Sequence, residues 1–246
     1  MSVSASSAAL LCIDGIGKSF GGVAALSDIS FRITPATVMG LIGPNGSGKT
    51  TLLNVINGAV AADGGEIRLG GIVITGKRPS ALAAAGLSRT FQNVRVFRTL
   101  TVLQNLLVPL LHRAKQERCD AFQRAEELVG FVGLKSQATQ IASTLSGGQQ
   151  RLLEFARALV TRPRLILMDE PFAGVHPAIK TTLVGCIRET VEREGASFLI
   201  VSHEVPELVR MADSMVCLVE GKIAANGTPN DVVRDAKVIE GYLGRG

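Results

Sequence analysis

The sequence predicts an α/β fold in which a mixed α/β core is interrupted by a block of helices. Apolar runs of strand length alternate with helical segments towards both ends of the chain, whereas helical periodicity dominates between 101 and 160. The helices between successive C-terminal strands are long enough for the chain to cross back over a sheet, which favours parallel pairing. Because no long linker interrupts residues 10–246, we expect one domain there.

The N-terminal part of the chain predicts strands around a Gly-rich turn. Residues 10–33 alternate β-rich runs with Gly turns, and Thr37–Ile42 is a compact apolar strand that ends at Gly43. A helix should follow, with a buried face formed by Leu52, Leu53, Val55 and Ile56. Residues 66–75 predict a hairpin, and an Ala-rich segment continues to Gly86.

Helices and then a second α/β region are expected in the rest of the chain. The periodicity predicts helices over 102–114, 119–132 and 149–160. After them we expect a strand, a helix, a strand, a helix and a hairpin, over 165–168, 177–194, 197–201, 205–212 and 215–225.

Composition excludes several classes of protein. Of the 246 residues, 46% are hydrophobic and 19% charged, which is typical of a globular domain. The net charge of +5 is dispersed without a basic block, so nucleic acid is not an expected partner. No apolar stretch is long enough to cross a bilayer, and residues 1–9 resemble a flexible tail more than a secretion signal. The four cysteines form no C-x-x-C pair, so a zinc or redox motif is not predicted.

A phosphate-binding loop is predicted between the strand at 37–42 and the helix that follows it. The pattern G-x-x-x-x-G-K-T is met by Gly43, Pro44, Asn45, Gly46, Ser47, Gly48, Lys49 and Thr50, with Thr51 next. Glycines allow backbone N–H groups to converge on phosphate at the positive end of a helix. We expect Lys49 to neutralise phosphate oxygens and Thr50 to offer its hydroxyl to Mg²⁺.

Two carboxylates follow the apolar strand at 165–168. An acid at the end of such a strand can hold a metal through water, and the next can activate the attacking water. With a phosphate loop upstream, we assign Asp169 to Mg²⁺ and Glu170 as the general base.

A second anion site is predicted at the start of the helix over 149–160. Ser146 is a good N-cap, and Gly147 and Gly148 expose N–H groups before Gln149. Two phosphate-binding elements about a hundred residues apart suggest that the second serves the nucleotide of another subunit.

These motifs, in this order and spacing, resemble the ATP-binding-cassette (ABC) ATPases over nearly the whole chain. The resemblance implies a P-loop NTPase cassette with an inserted helical subdomain at about 99–160, and ATP and Mg²⁺ as cofactors. It implies that Phe20 stacks on adenine, that Gln92 contacts Mg²⁺ and water, and that His203 contacts the γ-phosphate. It also implies a head-to-tail dimer, homo- or heterodimeric, in which Ser146, Gly147, Gly148 and Gln149 cover the partner's ATP.

A closer similarity is to the ATPases of branched-chain (hydrophobic) amino-acid importers. It rests on RTFQNVRVF at 89–97, TVLQNL at 101–106 and VIEGYLG at 238–244. The resemblance implies two transmembrane permease subunits as partners, indirectly a solute-binding protein, and a place on the cytoplasmic face of the inner membrane. Departures are Gly147, where many of that group have Tyr, Glu204, where Asp is usual, and His176, where Asn is common.

Two alternatives to amino-acid import remain open. Urea and short-chain amide importers share the same sequence features, and a single-cassette ABC ATPase can act without a permease. A module that binds nucleotide without hydrolysing it is disfavoured, since Glu170 and His203 are both present. After Gln92 come the apolar residues Val94, Val96 and Phe97. The resemblance implies that they help form a groove for a short cytoplasmic helix of the permease, and the alternative is that Val96 and Phe97 pack inside the helical lobe.

Overall fold

The computed structural model describes residues 9–111 and 118–243. The predicted tail, 1–9, therefore lies outside the described residues except for Ala9, as does the last part of the helix predicted over 102–114. Among the helices that are described, none has the length and apolarity needed to cross a membrane.

The described residues form ten strands and nine α-helices. The strands are β1 Leu11–Phe20, β2 Val23–Ile33, β3 Val38–Ile42, β4 Gly64–Leu69, β5 Ile72–Val73, β6 Leu87–Arg89, β7 Leu165–Asp169, β8 Ser197–Val201, β9 Ser214–Val219 and β10 Lys222–Gly227. The helices are α1 Lys49–Ile56, α2 Pro79–Ala84, α3 Val102–Leu107, α4 Arg118–Phe131, α5 Gly147–Leu159, α6 Pro177–Glu194, α7 Val205–Met211, α8 Pro229–Arg234 and α9 Ala236–Leu243.

Two sheets form the core of the fold. A four-stranded antiparallel sheet has the order β2-β1-β4-β5, and a six-stranded sheet has the order β10-β9-β3-β8-β7-β6. Within the second sheet only β10 is antiparallel to its neighbour. The predicted parallel sheet and the predicted α/β class are confirmed, and the N-terminal strands add a separate antiparallel sheet.

The central strands are buried on both faces and divide their side chains between two cores. On β7, for example, Leu165 and Leu167 face the antiparallel sheet and α1, whereas Ile166 and Met168 face the helices. This alternation follows from the period of two along a strand, and double burial explains why the strands are apolar throughout.

The helical block packs directly on the six-stranded sheet. Phe155 of α5 stacks on Phe198 of β8 with ring centroids 6.3 Å apart, and both side chains are fully buried. Residues of α3, α4 and α5 belong to the same apolar cluster as that face of the sheet. The boundary at 99–160 stays a prediction, but the helices within it share their core with the sheet.

The structure corrects several element predictions. The helix α3 ends at Leu107 and continues as a 3₁₀ turn over Val108–Leu110, because Pro109 has no N–H with which to extend an α-helix. The strand β6 and the helices α8 and α9 were not predicted, and each is short. The helix α6 and the strand β8 have the predicted bounds.

Candidate functional site

The carboxyl edge of the parallel sheet gathers the predicted site residues. Leu41, Asp169 and Val201 share one register across β3, β7 and β8, so the segments that follow these strands leave the sheet side by side. These segments contain the phosphate loop, Glu170 and His203. This is the edge at which open parallel sheets bind ligands.

The phosphate loop approaches neighbouring backbone so closely that two positions require glycine. A Cβ on Gly43 would lie 2.1 Å from the carbonyl oxygen of Leu218, and one on Gly48 would lie 2.6 Å from that of Ala25. Gly48 also has a φ of 101°, which disfavours any side chain. The loop is therefore wedged between β9 and β2 at the start of α1.

Lys49 is the first residue of α1 and lies folded onto the loop. Its Nζ donates hydrogen bonds to the carbonyl oxygens of Gly43 and Pro44, at 2.8 and 2.9 Å, and only 7% of the residue is exposed. Burial lowers the pKa of Lys49, while the negative charges of Glu170 and Asp169 oppose that shift. The ammonium group is held beside the loop, within the set of groups that anionic oxygens would approach.

Asp169 forms a buried ion pair that the sequence analysis missed. Arg89 of β6 donates from Nη2 to Asp169 Oδ2 at 3.2 Å and from Nη1 to Asn54 Oδ1 at 2.7 Å. Both charged side chains are less than 10% exposed, and burial lowers the pKa of Arg89 against the opposing charge of Asp169. The fork of the guanidinium thus joins three elements, α1, β6 and β7.

Glu170 has an unusual backbone and one free carboxylate oxygen. Its φ is 49°, a left-handed conformation that is uncommon for a residue with a side chain. The N–H of His203 donates to Oε2 at 3.0 Å, while the buried Oε1 has no hydrogen-bond partner among the described residues. The Nε2 of His203 lies 3.4 Å from Oε1, close without forming a hydrogen bond to it.

The backbone around Gln92 is held by the helix α5. Arg151 donates from Nη1 to the carbonyl oxygen of Phe91 at 2.6 Å and from Nη2 to that of Gln92 at 2.7 Å. Arg151 also pairs with the buried Glu154, which accepts the N–H of Arg95 at 3.1 Å. Burial raises the pKa of Glu154, and the Arg95 N–H and the charge of Arg151 oppose that shift. We call these contacts of Arg151 and Glu154 the α5 clasp.

Most of the predicted site residues line one cleft of about 330 Å³. The predicted residues in its lining are Asn45, Gly46, Ser47, Gly48, Lys49, Thr50, Thr51, Gln92, Asp169, Glu170 and His203. Ser47 Oγ is buried there without a hydrogen-bond partner among the described residues. Ser47 Oγ and Glu170 Oε1 are therefore two buried polar atoms of the cleft that no described protein group pairs.

Other predicted residues lie outside this cleft. The carbonyl oxygens of Gly43 and Pro44 accept hydrogen bonds from Lys49. Phe20 is half exposed at the end of β1, with Lys18 Nζ 5.3 Å from the centre of its ring. Ala25, on the partner strand of the same hairpin, does line the cleft. Phe20 therefore stands on an element that borders the cleft.

The segment 146–149 is not part of the cleft lining. Ser146 and Gln149 form a capping box, in which Ser146 Oγ accepts the N–H of Gln149 at 3.3 Å and Gln149 Oε1 accepts the N–H of Ser146 at 2.9 Å. A Cβ on Gly147 would meet no atom within 4 Å, whereas one on Gly148 would lie 2.9 Å from Ile179 Cγ1. This end of α5 is exposed at Ser146 and Gly147.

The two remaining departures have local structural roles. The Nδ1 of His176 accepts the N–H of Ala178 at 3.3 Å and caps α6, which is what Asn or Asp would do at this position. Glu204 pairs with Lys180 of the same helix α6. Each of these two residues thus makes a local contact with α6.

The apolar residues after Gln92 lie at the surface of the helical block. Val96 packs partly against the core, whereas Phe97 is 46% exposed, with the guanidinium of Arg157 over its ring. Asn105 fixes the backbone of Phe97, accepting its N–H at 2.8 Å and donating to its carbonyl oxygen at 3.0 Å. The aromatic ring is thus presented to solvent on a fixed backbone.

Comparison with known proteins identifies the family. The profile of the ABC transporter family matches residues 26–173, more than half of the chain. The LivG high-affinity branched-chain amino acid transport ATP-binding protein of Escherichia coli and the BraF protein of Pseudomonas aeruginosa are each 34% identical, over 96% of this chain and 98% of theirs. This chain belongs to the ABC transporter family.

Solved structures of ABC cassettes agree with this assignment. A nucleotide-free ATP-binding cassette from an ABC transporter superposes with a TM-score of 0.87 at 33% identity, covering 97% of this chain and all of the other. An ABC transporter cassette in its ADP conformation gives 0.85 at 32% identity, with the same coverage. The predicted cassette fold and the resemblance to branched-chain amino-acid transport ATPases are confirmed. The chain is an ATPase of this family.

Proposed function

We propose that this ABC ATPase powers the uptake of a small solute, foremost branched-chain or other amino acids, by closing head to tail with a second cassette. The main support is the similarity to LivG and BraF over nearly the full length of each chain. The cleft adds support, because its phosphate loop, acidic pair and histidine form one continuous lining.

In this proposal the phosphate loop binds the phosphates of ATP. The N–H groups between Gly46 and Thr51 converge at the positive end of α1, and Lys49 exchanges the carbonyl oxygens of Gly43 and Pro44 for phosphate oxygens. Adenine stacks on the exposed ring of Phe20 beside the cleft.

Mg²⁺ fits the polar groups of the cleft. The described residues contain no cluster of three His, Cys, Asp or Glu side chains that would hold a metal alone. Thr50, Gln92 and Asp169 instead line the cleft that receives the phosphates, and Mg²⁺ typically binds to few protein ligands together with phosphate and water. When bound, the ion would neutralise developing charge on the phosphate oxygens.

Glu170 acts as the general base for hydrolysis. Its Oε2 is anchored by the N–H of His203, while Oε1 is buried and free to take a proton from the attacking water. The side chain of His203, which is half exposed at the rim, contacts the γ-phosphate. Positioning and electrostatic stabilisation supply most of the rate in phosphoryl transfer.

The exposed start of α5 completes the site of a second cassette. Gly147 and Gly148 leave the N–H groups of the first turn accessible, and these would contact the γ-phosphate held by the partner. The permease would dock at Phe97, whose ring is exposed on a fixed backbone. This assembly would lie at the cytoplasmic face of the membrane, with the solute-binding protein acting on the permease from the other side.

The variant Glu170→Gln tests the base and the dimer together. It keeps the size of the side chain but cannot accept the proton, so we expect MgATP to bind and a closed dimer to accumulate in size-exclusion chromatography. Glu189→Gln, on the surface of α6, is the matched control and should remain monomeric and active. If Glu170→Gln hydrolyses ATP at the parental rate, the base is wrongly assigned.

The oligomeric state gives a second result. If Glu170→Gln binds MgATP but stays monomeric both alone and mixed with a paralogous cassette, the head-to-tail dimer is wrong. A dimer that forms only in the mixture would show a heterodimer.

Membrane vesicles test the transport proposal. Co-expressed with its permease subunits, the parent should drive ATP-dependent uptake of labelled leucine. The Phe97→Ser variant should still bind ATP, but uptake should be abolished. Uptake of urea but not of leucine would identify the alternative substrate class. If the protein instead stays in the soluble fraction of its own cells and no multi-span membrane protein co-purifies with it, the transporter role is contradicted.

A further inference from the structure

The C-terminal helix α9 packs against the strand that borders the phosphate loop. A Cβ on Gly241 would lie 2.7 Å from Cγ2 of Val219, so glycine at this position allows α9 to approach β9 closely. The next strand residue inward, Leu218, has the carbonyl oxygen that Gly43 approaches. The helix, the strand and the start of the loop thus form one tight stack.

One hydrogen bond links α9 directly to the loop. The N–H of Gly43 donates to the hydroxyl of Tyr242 at 2.8 Å, across 199 positions of sequence. The carbonyl oxygen of Gly43 in turn accepts a hydrogen bond from Lys49 Nζ at 2.8 Å. Gly43 is therefore held through its N–H by the C-terminal helix and through its carbonyl by the lysine that meets phosphate.

The surroundings of the hydroxyl connect it to the rest of the site. Burial raises the pKa of Tyr242, the Gly43 N–H opposes that shift, and the carboxylate of Glu170 adds to it. Glu170 is the residue to which we assign the proton transfer. The phenol thus lies within the electrostatic reach of the catalytic carboxylate.

We propose that Tyr242 is a positioning residue for nucleotide binding. Its hydroxyl fixes the first peptide of the phosphate loop, so that Lys49 is placed to bind phosphate. Nucleotide binding should in turn change the environment of the phenol. This inference rests on the proposed function of the loop. Without the acceptor, the Gly43 peptide is held only by the bond from Lys49 to its carbonyl oxygen and by packing. A smaller fraction of molecules then has the competent loop, and the observed affinity falls by that fraction.

The variant Tyr242→Phe removes the hydroxyl and keeps the ring. By isothermal titration calorimetry we expect MgADP to bind about tenfold more weakly, because one partly buried hydrogen bond is lost. In steady-state hydrolysis the KM for ATP should rise while kcat changes little, since the reacting groups are untouched. Ile239→Ala, on the exposed side of α9 one turn earlier, is the matched control and should bind MgADP like the parent.

Intrinsic fluorescence gives an independent readout. The chain has one tyrosine and no tryptophan, so its emission reports Tyr242 alone. Corrected for nucleotide absorbance, the emission of the parent should change saturably with MgADP, with the midpoint found by calorimetry. Emission that stays constant through saturation would overturn the inference.

Three further outcomes separate this inference from the proposed function. If the parent fails to bind MgADP, the proposed function fails. If the parent binds and Tyr242→Phe binds with equal affinity, only the positioning role fails. If Tyr242→Phe and Ile239→Ala lower the melting temperature equally and neither changes affinity, Tyr242 merely anchors α9 and the positioning role is again refuted.

Discussion

The phosphate-loop end and the Ser146 end of the molecule both present helix N-termini, but they are built differently. The loop is wedged between two strands, its lysine is buried, and the cleft beside it contains two buried polar atoms without a partner among the described residues, Ser47 Oγ and Glu170 Oε1. At the other end, Ser146 and Gln149 satisfy each other in a capping box at the surface. A buried end with unpaired polar atoms and an exposed end stabilised by its own capping box are what a protein needs if the first binds ligand alone and the second acts only against another subunit.

The largest effect is expected at Lys49, which separates the two ends most clearly. Lys49→Ala removes the charge that we propose holds the phosphates, so hydrolysis should fall by about a thousandfold or more, with weaker ATP binding. Coupled-enzyme assays and calorimetry measure both. Lys222→Ala, an exposed lysine on β10, should behave like the parent. Near-normal turnover in Lys49→Ala would contradict the proposal that the phosphate-loop end binds the nucleotide.

The next effect is on stability, at the ion pair beside the cleft. Arg89→Met leaves Asp169 buried without its partner and should lower the free energy of unfolding by about 3 kcal/mol, as measured by urea denaturation. Arg68→Met breaks the exposed pair with Glu66 and should cost less than about 1 kcal/mol. Equal losses in the two variants would show that burial does not make the Arg89–Asp169 pair more important for stability than an exposed pair.

A smaller effect is expected at Ser146, where two capping boxes can be compared. Ser146→Ala and Thr101→Ala each remove the N-cap of a capping box and should each lower stability by about 1 kcal/mol. In the Glu170→Gln background, only Ser146→Ala should weaken the MgATP-dependent dimer, as judged by analytical ultracentrifugation. Neither should alter MgADP binding by the monomer. An equal loss of dimer in both would mean that the Ser146 end has no special role.

The smallest effect concerns two buried thiols, Cys186 and Cys217, which belong to the same apolar core. Burial raises the pKa of Cys217 and of Cys186 to about 11. At pH 8 both should react with iodoacetamide about a hundredfold more slowly than a thiol of pKa 9.0, as followed by peptide mass spectrometry. Above pH 9 the unfolded chain loses these protons more readily than the folded one, so stability should fall between pH 9 and 11. Rapid labelling of either thiol in the native protein would contradict its burial.

Sequence patterns predicted the elements that obey a local rule. The strand β8 and the helix α6 have the predicted bounds because an apolar run and a capped, Pro-initiated helix are local signals. The phosphate loop and the acidic pair have the predicted positions relative to their strands, since contiguous motifs fix position along the chain. The three-residue strand β6 is too short to show a period of its own.

The residues that were missed act over long distances in sequence. Arg89 meets Asp169 across 80 positions, Arg151 meets Gln92 across 59, and Tyr242 meets Gly43 across 199. No periodicity signals such pairs, because each depends on the order of strands in the sheet or on the packing of helices. A buried arginine next to a predicted metal residue becomes visible only once β6 is placed beside β7.

The α5 clasp limits how such cassettes can be recombined by protein engineering. Arg151 and Glu154 bind the backbone of the segment that contains Gln92. The contact between α5 and this segment therefore depends on the backbone path of the segment and not on the identity of its side chains. A chimera that exchanges residues 91–97 with those of another cassette can keep the fit if the incoming loop has the same backbone path. One that replaces only the clasp leaves two carbonyls and an N–H without partners, so grafts of this loop should be designed together with α5.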